Sequence, residues 1–239
     1  MNIKEKLKSE YKYRIEMHAH TNPVSPCGEA TPAELAEIYS KCNYDAIVLT
    51  NHFIYELLNK LPEKKAIDRY LNDYELLSKE CEKYAIKVLL GAEIRFCQNN
   101  NDYLLYGVDR ELLEKTFDYL PKGIEAFGKE VKPEKTVFIQ AHPFRDGIEK
   151  VPSELLDGME VFNMHPGHNA RIGLASKYAE DNGMSIKIIG SDFHHKCVNH
   201  EGVGALRTKV LPEDSYELAE ILKSGDYIFD IADNEIIIP

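Results

Sequence analysis

Short apolar runs alternate with helical patterns along the chain, and run after run ends in a histidine or an acid. "YRIEMHA" at 13–19 reads as a strand. "TPAELAEIYSKCN" from Thr31 reads as a helix, with Thr31 as N-cap, Pro32 in the first turn and Glu34 adding a carboxylate there. Further strands are read in "DAIVLTNH", "IKVLLGAEIRF", "YLLYGV", "KTVFIQAHPF", "GMEVFN" and "SIKIIGSDFHH". Helical spacing runs from Ile67 to Tyr84 and through "RELLEKTFDYL", "NARIGLASKYAEDNG" and "PEDSYELAEILKSG", with Gly183 as a C-terminal stop. "DYIFDI" and "EIIIP" are apolar tails. Buried strands alternating with helices imply parallel βα units in an α/β fold. About seven such units fit one barrel, a single domain over residues 1–239, better than two domains.

Composition narrows the class. A hydrophobic share of 44% and a charged share of 29% are those of a globular protein. The formal net charge of −11 counts against a basic nucleic-acid-binding face. An anionic substrate stays compatible, because bound cations would reverse the local field. The cysteines are Cys27, Cys42, Cys81, Cys97 and Cys197, an odd number with no C-x-x-C pair. No apolar run approaches the roughly 20 residues of a membrane span, and "MNIKEKLKSEYKYR" lacks the apolar core of a signal peptide. A reduced, cytoplasmic protein is expected.

The polar residues at the strand ends carry the chemistry. His18 and His20 end the first strand, His52 the second and Glu93 the third. His142 ends a later strand, and Asp192 and His194 another. Parallel units deliver all strand C-termini to one face, so these residues are expected at one mouth. Residues i and i+2 of a strand share a side, which lets His18 and His20, or Asp192 and His194, address one centre. Imidazole and carboxylate are ligands of Zn, Mn and Fe. A single strand-end histidine is more often a hydrogen-bonded or exposed residue; the repetition is what points to metal. So many ligands exceed the need of one ion, and Glu93 is the obvious bridging carboxylate.

These motifs resemble the polymerase-and-histidinol-phosphatase (PHP) family. The resemblance rests on "HAH" at 18–20, "TNH" at 50–52, "GAE" at 91–93, "AHP" at 141–143, "EVFN" at 160–163 and "GSDFH" at 190–194. It implies a distorted TIM-like barrel of seven βα units, with two or three divalent ions (Zn, Mn or Fe) at the C-terminal mouth. It also implies hydrolysis of a small phosphomonoester, histidinol-phosphatase-like, with a metal-activated hydroxide as nucleophile. Carried over residue by residue, His18, His20, Glu93 and Asp192 match the ligands of one ion. Glu93 bridges to a second, held also by His142 and by His168 or His165, of which His168 is favoured. His52 and His194, with a residue of the loop after "HAH", match a third. Glu93 and Asp192 are the residues on which catalysis would turn. A non-catalytic metal-binding module and a metal-dependent amide or ester hydrolase are the alternatives.

The loop "SPCG" departs from the family pattern, offering Cys27 where an Asp or His is usual. Cys27 is either a thiolate ligand or a small residue in a tight turn. Arg145 is a candidate phosphate fork, against an ordinary ion pair. His195 is a candidate phosphate ligand or leaving-group acid, against an exposed neighbour. Arg95 either shares the face of Glu93 or balances carboxylates, and Arg171 is a weaker phosphate candidate. The segments 53–70 and 97–102 are expected to be loops that set specificity.

Overall fold

The computed structural model describes residues 2–196 and 203–239, so Cys197 and His200 lie outside the described residues. In chain order the elements are α1 (Ile3–Glu10), β1 (Tyr13–Ala19), α2 (Pro32–Tyr39), β2 (Ala46–Leu49), β3 (His52–Ile54), α3 (Tyr55–Leu58) and α4 (Glu63–Glu82). Then come β4 (Lys87–Leu90), β5 (Ala92–Arg95), β6 (Asp102–Tyr106), α5 (Arg110–Phe117), α6 (Ile124–Glu130), β7 (Val137–Gln140) and β8 (Gly158–Asn163). The chain ends with α7 (Ile172–Asp181), β9 (Ile186–Gly190), β10 (Gly204–Thr208), α8 (Ser215–Ser224), β11 (Tyr227–Ile231) and β12 (Glu235–Ile237).

Local chemistry sets the helix starts. The Thr31 hydroxyl accepts from Glu34 N–H while the Glu34 carboxylate accepts from Thr31 N–H, a reciprocal pair that satisfies two orphan donors. Asn2 and Glu5 do the same for α1. Asp109 and Asp214 cap α5 and α8 through their carboxylates. The 53–70 segment is mostly regular structure rather than loop. It holds β3, α3 and the start of α4, where buried Tyr70 donates to the carbonyls of Asn51 (2.8 Å) and Gly91 (3.0 Å).

The strands form two six-stranded sheets, ordered β12-β11-β10-β1-β2-β4 and β3-β5-β6-β7-β8-β9. The chain passes from one sheet to the other over two residues after β2 and at Gly91 between β4 and β5. The expectation of uniformly parallel units needs correction. β1–β2, β2–β4, β3–β5, β7–β8 and β8–β9 are parallel, but β6 runs antiparallel to β5 and β7, and β10 antiparallel to β1. The expected seven-unit barrel is also not a closed one among the described residues. Among the described residues, β1 meets the segment after β9 through an isolated parallel bridge, Ala19 to Phe193. His20 N–H donates to the Phe193 carbonyl (3.2 Å) and Phe193 N–H to that of His18 (3.3 Å).

Ile15, Met17, Val48, Leu104, Tyr106, Ile139, Val161 and Ile188 pack strands of both sheets into the largest core cluster, joined by Leu218 and Leu222 of α8. Each fully buried aliphatic side chain contributes roughly 1.5–3 kcal/mol. That core holds the strand ends in register. No helix of the described residues is long and apolar enough to cross a membrane.

Candidate metal centre

β1, the β2–β3 crossing, β5, β7, β8 and β9 all point their C-terminal ends at one mouth. There His18, His20, Glu93, His142 and Asp192 lie buried. Glu93 divides its carboxylate between two sets of imidazoles. Its Oε1 lies 3.3 Å from His18 Nε2 and 3.1 Å from His142 Nε2. Its Oε2 lies 3.4 Å from His20 Nε2 and 2.7 Å from His52 Nδ1. Asp192 Oδ1 stands 3.4 Å from both His18 Nε2 and His20 Nε2. Ligand atoms bound at about 2.1 Å to one tetrahedral ion would be about 3.4 Å apart.

Most buried side-chain polar atoms without a hydrogen-bond partner among the described residues sit here. They include His18 Nε2, His20 Nε2, His52 Nδ1, Glu93 Oε2, His142 Nδ1 and Asp192 Oδ1. Leaving such atoms unsatisfied costs roughly 1–3 kcal/mol each; a cation between them removes that cost. The ligand chemistry and the spacing therefore fit divalent ions. Among the described residues, three groups have ligand atoms within 4.8 Å of one another: His18–His20–Asp192, His20–His52–His194 and His52–Glu93–Asp102.

The surrounding residues set which nitrogen faces the centre. His18 Nδ1 lies 2.9 Å from Glu160 Oε1. An ionised carboxylate only accepts, so Nδ1 carries a proton and Nε2 is the nitrogen turned toward the centre. Ser25 donates its hydroxyl to Asn51 Oδ1 (2.8 Å), so it accepts from His20 Nδ1 at 3.2 Å. His194 Nδ1 lies 2.8 Å from the carbonyl of Asp192, another pure acceptor. Glu16 clamps the open seam: its carboxylate accepts from the N–H groups of His18 and Ser191 (2.9 Å each) and from the Tyr39 hydroxyl (2.9 Å).

Charge coupling runs through the cluster. Burial alone would depress the His18 imidazole, but Glu160, Asp192 and Glu93 hold it well above its usual range. His20 is pushed well below its usual range by burial, with His194 and His52 adding to the effect. Burial opposes ionisation of Glu93 and Asp192, yet His52 and His18 for the former, and His18 for the latter, bring both well below the usual carboxylate range. His52 and His194 each rise to about 10 against the cost of burial, His52 through Glu93 and His194 through Asp192, with Cys27 helping both. The Cys27 thiol, despite partial burial, falls to about 6 through hydrogen bonds with His194 and His52. The backbone is strained where two of these groups sit: His142 has φ 29° and Asp192 φ 53°. Such conformations in non-glycine residues concentrate at functional sites.

The PHP domain family model matches residues 16–231. This chain belongs to the PHP family. Its fold is similar to that of a two-domain Bacteroides vulgatus protein containing a predicted PHP-like metal-dependent phosphoesterase, with a TM-score of 0.63 at 18% identity. That match covers 92% of this chain and 64% of the other, so the PHP chain spans under two thirds of its neighbour's length. It is also similar to a candidate metal-dependent phosphoesterase of Bifidobacterium adolescentis, with a TM-score of 0.50 at 16% identity, covering 87% of this chain and 95% of that one. No curated protein matches the sequence.

The other sequence candidates of this PHP chain take distinct positions. His165 is buried, with its ring 5.6 Å from that of His194. His168 is exposed at the rim, 4.5 Å from the ring of His165, in the turn before α7 and outside the three tight groups. Arg145 pairs with Asp192 Oδ2. His195 sits on the rim, 3.2 Å from Glu29. Arg95 forks onto Asp102 at 2.7 and 2.6 Å, so it balances a carboxylate. Arg171 is tied to the Phe144 carbonyl and Asp146, away from the centre. Cys27 is an exposed residue 3.1 Å from His52 Nε2, not a packed turn residue.

Sequence reasoning missed Glu16, Asp102 and Glu160 as site residues. Two of them stand as acids inside otherwise apolar strands, a signal visible in "RIEM" and "GMEVF". Asp102 starts a strand that runs the other way and so reaches the mouth with its N-terminal end.

Proposed function

We propose that the protein hydrolyses a small phosphomonoester at this centre, with two or three divalent ions (Zn, Mn or Fe). The observation that carries the reading is the division of the Glu93 oxygens, one toward His18 and His142, the other toward His20 and His52. A carboxylate so placed suits two neighbouring ions. His18, His20, Glu93 and Asp192 would hold the first. Glu93, His142 and one of His168 or His165 would hold the second, and His52 and His194 a third. When bound, such ions acidify water and polarise phosphoryl oxygens.

The remaining work falls to the chain's own side chains. Arg145 reaches the cavity from the turn after β7 and offers a guanidinium to the phosphoryl oxygens. His195, on the rim of that cavity, is positioned to give a proton to the departing oxygen. Glu160 and Ser25 hold the His18 and His20 rings in orientation. The cavity of about 260 Å³ suits the phosphoryl end. An adjoining cavity of about 690 Å³ shares Cys27, His52 and Arg95 with it, and is lined further by Ile54, Leu57, Phe96, Gln98 and Asn99. It suits the alcohol portion, so the 97–102 turn would help select it.

Elemental analysis of the purified protein, with a phosphatase substrate panel assayed under added Mn, Zn and Fe, tests the reading. Bound metal and monoester hydrolysis are expected. A protein that binds no metal and hydrolyses nothing under any of them refutes it.

A further inference from the structure

We propose that Cys27 is a thiolate ligand which, with His52 and His194, makes an outer cation site selective for a borderline-soft divalent ion such as zinc or cobalt over manganese and magnesium. The inference rests on the metal-centre reading above and adds to it a choice of ion. Cys27 lies in the loop between β1 and α2, and its Sγ stands 3.1 Å from His52 Nε2. Cys27, His52 and His194 line one cavity.

The loop is built to hold the thiol there. Gly28 N–H donates to the Ser25 carbonyl (2.9 Å), and the Asn22 amide donates to that of Gly28 (3.0 Å). Glu29 N–H donates to the His194 carbonyl (2.8 Å), which fastens the loop directly to a partner ligand. Ser25 accepts from His52 N–H (2.9 Å), which fastens it to the other.

A second observation points to a cation. His20, a proposed ligand of the adjoining first ion, is fully buried, and among the described residues its Nε2 has no hydrogen-bond partner. Its ligand atom falls within 4.8 Å of those of His52 and His194. The outer face thus gathers imidazole nitrogens beside a sulfur. Sulfur ligands favour zinc-like ions, whereas carboxylate and water suit magnesium and manganese. A carboxylate at position 27 would have left the site hard; the cysteine makes it soft.

The test loads the metal-free full chain with cobalt(II) alone and records its absorption spectrum. A sulfur-to-cobalt charge-transfer band in the near ultraviolet is expected beside the visible ligand-field bands. Cys97→Ser, which removes the exposed thiol of the neighbouring cavity, should keep that band. Cys27→Ser should lose it while keeping ligand-field absorption, and should bind its last zinc equivalent at least tenfold more weakly, since even indirect supports of a ligand are worth roughly 10–100-fold. Cys27→Asp should lose the band and take up more manganese. Ligand-field absorption without the sulfur band, or an unchanged spectrum in Cys27→Ser, overturns the proposal and leaves the metal centre standing. Failure to bind any cobalt overturns both.

Discussion

His18 and Glu160 are locked together: His18 Nδ1 lies 2.9 Å from Glu160 Oε1, and neither side chain is more than 1% exposed. The other Glu160 oxygen accepts from His142 N–H (2.8 Å) and from the Asn163 amide (3.0 Å). One carboxylate therefore orients two candidate ligands without facing the centre itself. Glu160→Gln should keep the fold but lower metal affinity by roughly 10–100-fold, as for other groups that orient ligating histidines. Metal titration of the apoprotein checks this, and an unchanged affinity would remove Glu160 from the supporting shell.

Gly190 makes that lock possible. A Cβ there would lie 2.5 Å from His18 Cβ and 2.9 Å from Glu160 Oε1. Neither neighbour can retreat, because both are buried and bonded. Gly190→Ala should cost about 1–3 kcal/mol in stability through overpacking, and metal content should fall with it. Chemical denaturation and elemental analysis of the variant measure the two effects. Wild-type values in both would mean that the strand end yields more readily than its packing suggests.

The sequence makes the inner face of this site readable and hides its supports. His18, His20, Glu93, His142 and Asp192 could be found because strand ends of parallel units share one face, a rule that needs no coordinates. Glu160 could not be placed: it sits beside a register shift in β8, and only the folded sheet reveals which way its side chain turns. Asp102 was hidden by an assumption of parallel strands. A parallel crossover needs about a dozen residues or more, and the short turn from Arg95 to Asp102 is better suited to a hairpin. The incomplete closure at Ala19–Phe193 has no local signature, because it depends on where β9 meets β1. The choice between His165 and His168 likewise depends on the conformation of the turn before α7, which spacing does not specify.

The apoprotein should lose stability in alkali. His52 and His194 each rise from 6.5 to about 10 on folding. A raised folded pKa contributes stability that is complete below the unfolded value and is lost as pH climbs through the folded one. Both contributions therefore fade between pH 6.5 and about 10. Cys27, lowered from 9.0 to about 6, works in the opposite sense, gaining over that range, but it is one proton against two. Melting temperatures of the metal-free protein should fall across this window. The His52→Gln and His194→Gln double variant should show a flatter profile. Equal slopes in both proteins would show that other groups govern alkaline unfolding.

Arg145 meets Asp192 on the oxygen turned away from His18 and His20. Its Nε is buried and has no hydrogen-bond partner among the described residues, so the guanidinium retains capacity for an anion. A fork that grips phosphoryl oxygens as charge builds cannot be replaced by the point charge of lysine. Arg145→Lys should therefore lower kcat/KM for a phosphomonoester by roughly 10–100-fold, equivalent to about 1.4–2.7 kcal/mol of transition-state stabilisation. Bound metal should remain at the wild-type level. Parallel assays of kinetics and metal content separate the two roles open to this residue. A drop in metal with kcat/KM falling only in proportion would make Arg145 an orienter of Asp192, while intact metal with impaired turnover assigns it to the substrate.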